Sequence, residues 1–265
     1  MTPRTDISAA FESALAWWED AGVDTPAIPA MAKPKLSGKP ALSAKPPPAA
    51  TAAPQTPKQT DVTANVDTQA IAQSAPTLDA LRDAIAKFDA GDLSANATQS
   101  VFCRGNPEAD IMVIGEAPGA DEDRAGKPFV GKAGQLLDKI FASIGLGEND
   151  VYITNVVNYR PPGNRKPSAA EIALFRPFVT RHVQLAKPKF LVLVGGVSLE
   201  AMLGQKGIMK TRGQWQDYDI GEGQTIPALP VYHPAFLLRR PELKADMWRD
   251  MLSLKGRIEE DRFLL

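Results

Sequence analysis

Cysteine is almost missing from this chain: Cys103 is the only one in 265 residues. A disulfide framework is excluded, and a reducing compartment is expected. An excess of either charge is missing too. Thirty basic against 31 acidic side chains leave a net charge of -1, so no overall basic field advertises nucleic acid, and any such surface must be local. Long apolar runs are absent: no stretch approaches the roughly 20 residues that span a bilayer. The amino terminus, MTPRTDISAAFESALAWWEDAG, is acidic and amphipathic and lacks the apolar core of a signal peptide. A soluble, cytoplasmic, monomeric protein without a membrane partner is expected. Histidine is scarce, with only His182 and His233, and no internal repeat is found.

The chain is 44% hydrophobic, enough for one sizeable core or two small ones. Phe11, Leu15 and Trp18 fall at i, i+4 and i+7, which predicts a short amphipathic helix within residues 1–25. That helix, with its Trp17-Trp18 pair, either folds back on the protein or docks a protein partner on a flexible tether. Residues 26–74 are built from Ala, Pro, Lys, Ser and Thr with few large side chains. Such a segment cannot offset its ordering entropy and reads as a disordered linker. Helical periodicity resumes at Thr77 with Leu78, Leu81, Ile85 and Phe88.

From Ala109 onward, apolar strand-like runs (ADIMVIG, DVYITNVV, PKFLVLVGG, ALPVYH) alternate with amphipathic helical ones. This predicts an α/β domain over residues 75–265: three layers, α/β/α, around a central, mainly parallel four-stranded sheet. Ser168, with Glu171 three residues on, forms a capping box that starts one of the helices. In open α/β sheets the ligand sits beyond the carboxyl ends of the strands. Three segments fall at such ends: GEAPG from Gly115, Asn155 in VYITNVV, and His233-Pro234. They are expected to converge.

The stretch GEAPGADEDRAGKPFVGKAG (115–134) approximates a phosphate loop, but Ala133 stands where a hydroxyl should hold magnesium. Four acids (Glu116, Asp121, Glu122, Asp123) separate the strand from the glycines and would repel a triphosphate. A nucleotide-binding function is therefore set aside.

The same stretch, followed by VYITNVVNYRPPGNRKPSAAEI and VYHPAFLLRRP, resembles the uracil-DNA glycosylase superfamily and most closely its type-4 branch, over residues 80–260 or so. The resemblance implies a base-flipping repair hydrolase that releases uracil from double- or single-stranded DNA, leaves an abasic site, and associates with the nucleoid when it acts. It places Phe129 as the ring that stacks on the flipped base, Asn155 as the amide that pairs with uracil O4 and N3–H, and His233 as the donor to O2. Without the resemblance, Phe129 has an alternative reading as a loop anchor and Asn155 as a residue that caps or bends the strand end. Where the best-known branch carries a water-activating aspartate, this chain has Ala117, counted here with the substrate-binding positions. Glu116 and Glu122 remain as candidates to orient the water or stabilise the sugar cation. Asp121 and Asp123 read as solvated loop acids, with Asp123 alternatively capping the turn, and His182 as a structural histidine on the polar side of its helix.

Lys127, Lys132, Arg160, Arg165, Lys166, Arg239 and Arg240 cluster around the three segments and suit phosphate contacts. Leu237 and Leu238 could wedge into the gap left by the flipped base, part of the pair being alternatively core. Lys244 and Lys255 read as plain solvation. Type-4 enzymes hold a [4Fe–4S] cluster on four cysteines; here two of those positions are Tyr159 and Phe175, and Cys103 alone cannot supply four thiolates. No cluster and no other metal are expected, with apolar packing in its place. The competing function is a binder of uracil-containing or abasic DNA that does not cleave.

Overall fold

The computed structural model describes residues 67–221 and 223–263; the amino-terminal helix expectation and most of the linker lie outside them. The linker's carboxyl end is a correction. Residues Thr68–Ser74 form a helix, α1, capped by the Asp67 carboxylate, which accepts from Ala70 N at 3.0 Å. It continues into α2 (Leu78–Lys87), capped by Thr77, and α3 (Asp92–Asn96). Alanine and Ile71 give α1 the apolar face it needs against α6 (Ala169–Ala186). Arg181 of α6 donates to Ala75 O at 2.8 Å and ties the junction.

The sheet among the described residues has six strands rather than four, in the order β1-β3-β2-β4-β6-β5. Its centre is the expected parallel quartet: β2 (Ile111–Gly115), β3 (Val151–Asn155), β4 (Phe190–Val194) and β6 (Gln224–Val231). β2, β3 and β4 are buried at every position, as strands covered on both faces must be. Each fully buried Val, Ile or Leu there contributes about 1.5–3 kcal/mol. The two additional strands, β1 (Arg104–Gly105) and β5 (Gln216–Gly221), pair antiparallel at the two edges. β1 has only two residues and β5 alternates with polar positions, so neither carries a long apolar run. Helices α4 (Ala120–Ala125), α5 (Lys132–Ala142), α6, α7 (Gly196–Leu203) and α8 (Ile208–Thr211) join the strands, and α9 (Pro234–Arg239) and α10 (Lys244–Phe263) follow the last of them. The capping box at Ser168 forms as expected, with Glu171 N bonded to Ser168 Oγ and Ser168 N to Glu171 Oε2.

Register explains why distant segments meet. Gly115 lies opposite Asn155 at the ends of β2 and β3, and Val194 opposite Val231 at the ends of β4 and β6. All four chains therefore leave the sheet at one edge. β3 sits on one side of β2 and β4 on the other, so the loops after β2 and β4 diverge and open a crevice there.

Behind the sheet, Phe88, Tyr159, Phe175 and Phe178 form an aromatic cluster with centroids 5.2 to 6.0 Å apart. Beside it His182 is buried, correcting its placement on a polar face. Its Nε2 shares a 2.8 Å hydrogen bond with the Tyr152 hydroxyl, and the Phe102 ring stacks on it at 4.3 Å. Lys244 is also buried, contrary to the solvated reading.

Burial, and then the nearby Arg82, push the His182 pKa down to about 3. As pH falls the unfolded chain binds this proton first. The stability contribution is complete above about 6.5 and is lost progressively toward the folded value. Thermal unfolding should therefore show Tm falling between pH 7 and 5, and the fall should be shallower in His182→Phe. Parallel profiles for the two proteins would contradict the assignment.

Candidate active site

The turn after β2 is built by close approaches. A Cβ on Gly115 would lie 2.3 Å from Asn155 Oδ1 and 2.5 Å from the Phe129 ring, so only glycine lets the amide and the ring meet there. Glu122, three residues into α4's entry, accepts hydrogen bonds from Gly119 N (3.1 Å), Val130 N (3.0 Å) and Gly131 N (2.8 Å). Its carboxylate thus clamps both ends of the loop, a structural duty that sequence reasoning missed. The loop holds Phe129 at φ +56°, a left-handed conformation that costs a non-glycine residue energy and persists only when its surroundings over-determine it. Gly134, in the first turn of α5, is the other constraint: a Cβ there would fall 1.7 Å from Phe129 O.

Asn155 is 2% exposed, and its Oδ1 has no hydrogen-bond partner. A buried acceptor without a partner is costly and demands an explanation. Phe129 and His233 stack at 5.7 Å between centroids, with 29° between planes. His233 caps α9, its Nδ1 accepting from Ala235 N at 3.2 Å. The ring proton of the neutral imidazole must then sit on Nε2. Burial, reinforced by Arg239 and opposed by Glu122, lowers the His233 pKa to about 4, so the ring is neutral at physiological pH. Gly195, at φ +96°, lies beneath it, where a Cβ would come 3.2 Å from His233 Cβ.

Phe129, Asn155 and His233 line one cavity of about 680 Å3, together with Glu116, Ala117 and Glu122. That volume falls in the range of small-ligand sites. The Glu116 carboxylate has no hydrogen-bond partner among the described residues; burial raises its pKa, and Lys166 partly offsets the rise. Sequence reasoning did not anticipate the wall formed by Gly195, Gly196, Ile208, Met209, Tyr232 and Phe236. The double glycine after β4 was the available signal.

The basic rim is narrower than expected. Arg165, Lys166 and Arg239 line the cavity, although Arg165 also pairs with Glu171 at 2.6 Å. Lys132 is exposed on α5, while Arg160 donates to Asn164 Oδ1 at 2.7 Å and Arg240 pairs with Glu242. Lys127 lines a second cleft instead. Leu237 is 0% exposed and belongs to the core, since α9 packs that face on α5, which leaves Leu238 as the exposed member of the pair at 45%. Asp123 is buried and accepts from Thr98 N and Oγ1, both at 2.8 Å, so it is no solvated acid.

Among the described residues, no group of three or more His, Cys, Asp or Glu is placed to hold a metal ion. Tyr159 and Phe175 pack edge to face at 6.0 Å, and the Tyr159 hydroxyl donates to Ile85 O at 2.8 Å. With Cys103 the only thiol, this donor set does not fit a [4Fe–4S] cluster. Among the described residues no helix is long and apolar enough to cross a membrane.

Several known proteins are similar to this chain. A type-4 uracil-DNA glycosylase of Pyrobaculum aerophilum is 34% identical over 192 residues, covering 71% of this chain and 97% of the relative. Those of Archaeoglobus fulgidus (37% over 167 residues, 62% and 84% covered) and Thermotoga maritima (32% over 186 residues, 69% and 96% covered) are similar too. The family model of the Uracil DNA glycosylase superfamily matches residues 102–252, more than half of the sequence, and with the relatives' coverage this places the chain in that superfamily.

Proposed function

We propose that this chain excises uracil from DNA in base excision repair, as a type-4-like glycosylase that works without an iron–sulfur cluster. The observation that carries this reading is the buried, unpartnered Asn155 Oδ1 beside the Phe129 and His233 rings. Uracil supplies what that oxygen lacks, a donor at N3, while its O4 accepts from Asn155 Nδ2. Cytosine has an unprotonated N3 and an amino group at C4, so both contacts fail and the amide stays unpaired.

The chain draws the nucleotide from the helix and stacks its base on Phe129. As the bond from C1′ to N1 breaks, its electron pair passes into the base and charge grows on O2, where the His233 Nε2–H donates. Water adds to C1′ and gives its proton to Glu116, the glutamate whose carboxylate is not consumed by loop contacts. Glu122 acts as a positioning residue, holding the Phe129 loop. Lys166, Arg239 and the exposed Lys132 meet backbone phosphates, and Leu238 fills the gap in the stack. The protein acts as a cytoplasmic monomer on double- or single-stranded DNA, with any protein partner docking through residues 1–25.

A duplex oligonucleotide with one uracil, treated with alkali after incubation, tests this. The wild-type chain should give a strand break at the uracil. Asn155→Ala should lower the rate on the order of 10²-fold, since it removes one or two buried hydrogen bonds worth about 1–3 kcal/mol each. Wild-type protein giving no break, beside an abasic control that alkali does cut, would leave the non-cleaving binder as the better account.

A further inference from the structure

Four large apolar side chains are exposed among the described residues: Met209 (57%), Leu252 (46%), Leu238 (45%) and Phe263 (89%). Leu252 and Phe263 lie on the long last helix. Met209 and Leu238 are different, because both sit on the rim of the uracil cavity. Met209 lines it directly from α8, and Leu238 lies on α9 between the lining residues Phe236 and Arg239.

The short helix that carries Met209 is braced rather than loose. Arg212, just after it, forms a charged hydrogen-bond pair with the buried Asp250 and donates to Asp246 O at 2.8 Å. Its guanidinium also lies 5.5 Å from the Tyr232 ring, one residue before His233. Gly213 N bonds to Pro230 O at 2.8 Å, joining the same turn to β6. Strand β6 and helix α10 thus brace the turn that follows Met209. Met209 is an exposed thioether carried on a braced turn at the mouth of the cavity.

We propose that Met209 is a second stacking contact for duplex DNA, covering a base face laid bare when the nucleotide leaves the helix. This deepens the uracil reading and rests on it. Extrusion exposes the faces of both flanking base pairs and of the widowed partner base, more than one leucine can cover. Methionine is among the side chains that wedge between base steps, and its polarizable thioether adapts to an aromatic face. The neighbouring Lys210 is exposed, and Lys166 and Arg239 share the rim, so the surroundings of Met209 suit a polyanion.

The test uses the full chain and two readouts. In the first, kcat/KM is compared on a uracil-containing duplex and on the same strand alone. Met209→Ala should lose up to ~10-fold on the duplex, the upper end of what one thioether contact with an aromatic face contributes. It should lose much less on the single strand, and Met209→Leu should restore most of the duplex rate. In the second, binding is followed by 2-aminopurine placed beside a non-cleavable abasic analogue in a duplex. The fluorescence change given by wild type should shrink in Met209→Ala. Because no cleavage is needed, this second readout judges Met209 even if the chain proves not to cut uracil. Equal duplex rates within twofold, equal losses on both substrates, or an unchanged 2-aminopurine signal would each overturn the proposal.

Discussion

Exchanging His233 for alanine should lower kcat on uracil-containing DNA by ~10²–10³-fold while KM changes little. In the proposed mechanism the donor meets charge that exists only as the glycosidic bond breaks, so its loss raises the barrier without weakening ground-state binding. The pH profile distinguishes this role from that of a general acid. The His233 pKa is lowered to about 4 by burial and Arg239, so the ring is neutral, with Nε2–H in place, from about pH 5 upward. No limb near the ordinary imidazole range should appear in kcat/KM. An acid limb should instead follow Glu116, whose pKa burial raises above the usual carboxylate range. Activity falls as pH drops through that value because the base becomes protonated, and His233→Ala should keep this limb at a lower plateau. His233 also caps α9 through Nδ1, so alanine loses about 1 kcal/mol of helix stability. His233→Asn retains a capping oxygen but no ring donor, and should be equally slow yet more stable. A wild-type limb near pH 6.5 that disappears with His233 would mean that the imidazolium, not the neutral ring, does the work.

What the sequence makes legible here is what local chemistry dictates. The runs Ile111–Gly115 and Phe190–Val194 can be little else than buried strands, and Ser168 with Glu171 announces a helix start. Once those strands are parallel, their carboxyl ends share an edge, so the GEAPG turn, Asn155 and His233 meet there, whereas the placing of Phe129 depends on the loop that Glu122 holds. The edge strands escape notice because Arg104–Gly105 has no pattern to read and Gln216–Gly221 keeps only Tyr218 fully buried. Roles set by tertiary contact are equally silent. Nothing in the letters separates Leu237, packed on α5, from Leu238, exposed beside it, and Glu122 differs from Glu116 only in the three amides that surround it. The carboxylate pair was visible and its division of labour was not, since hydrogen bonds across a nine-residue loop leave no periodicity.

Gly134 makes the same point with a larger consequence. Its letter reads as one more glycine in a glycine-rich turn, yet a Cβ there would lie 1.7 Å from Phe129 O and 2.1 Å from Phe129 C. Those atoms are backbone, so no rotamer change can relieve the overlap. Either α5 withdraws or the loop shifts, and Phe129 is carried along because Glu122 holds the following two amides, Val130 N and Gly131 N. A displacement of about 1 Å at a reacting centre is enough to cost ~10²-fold, so Gly134→Ala should lose at least that much kcat/KM. The strain should also lower stability, by about 1–3 kcal/mol as for other overpacked sites. Gly256→Ala supplies the contrast, since a Cβ at that helical position meets nothing within 4 Å. It should leave the rate unchanged and raise stability by about 0.5–1 kcal/mol. Circular dichroism and Tm establish that both variants are folded at the assay temperature. A folded Gly134→Ala protein that cleaves uracil-containing DNA at the wild-type rate would show that the position of the Phe129 ring does not govern the reaction, and with it the stacking step would have to be abandoned.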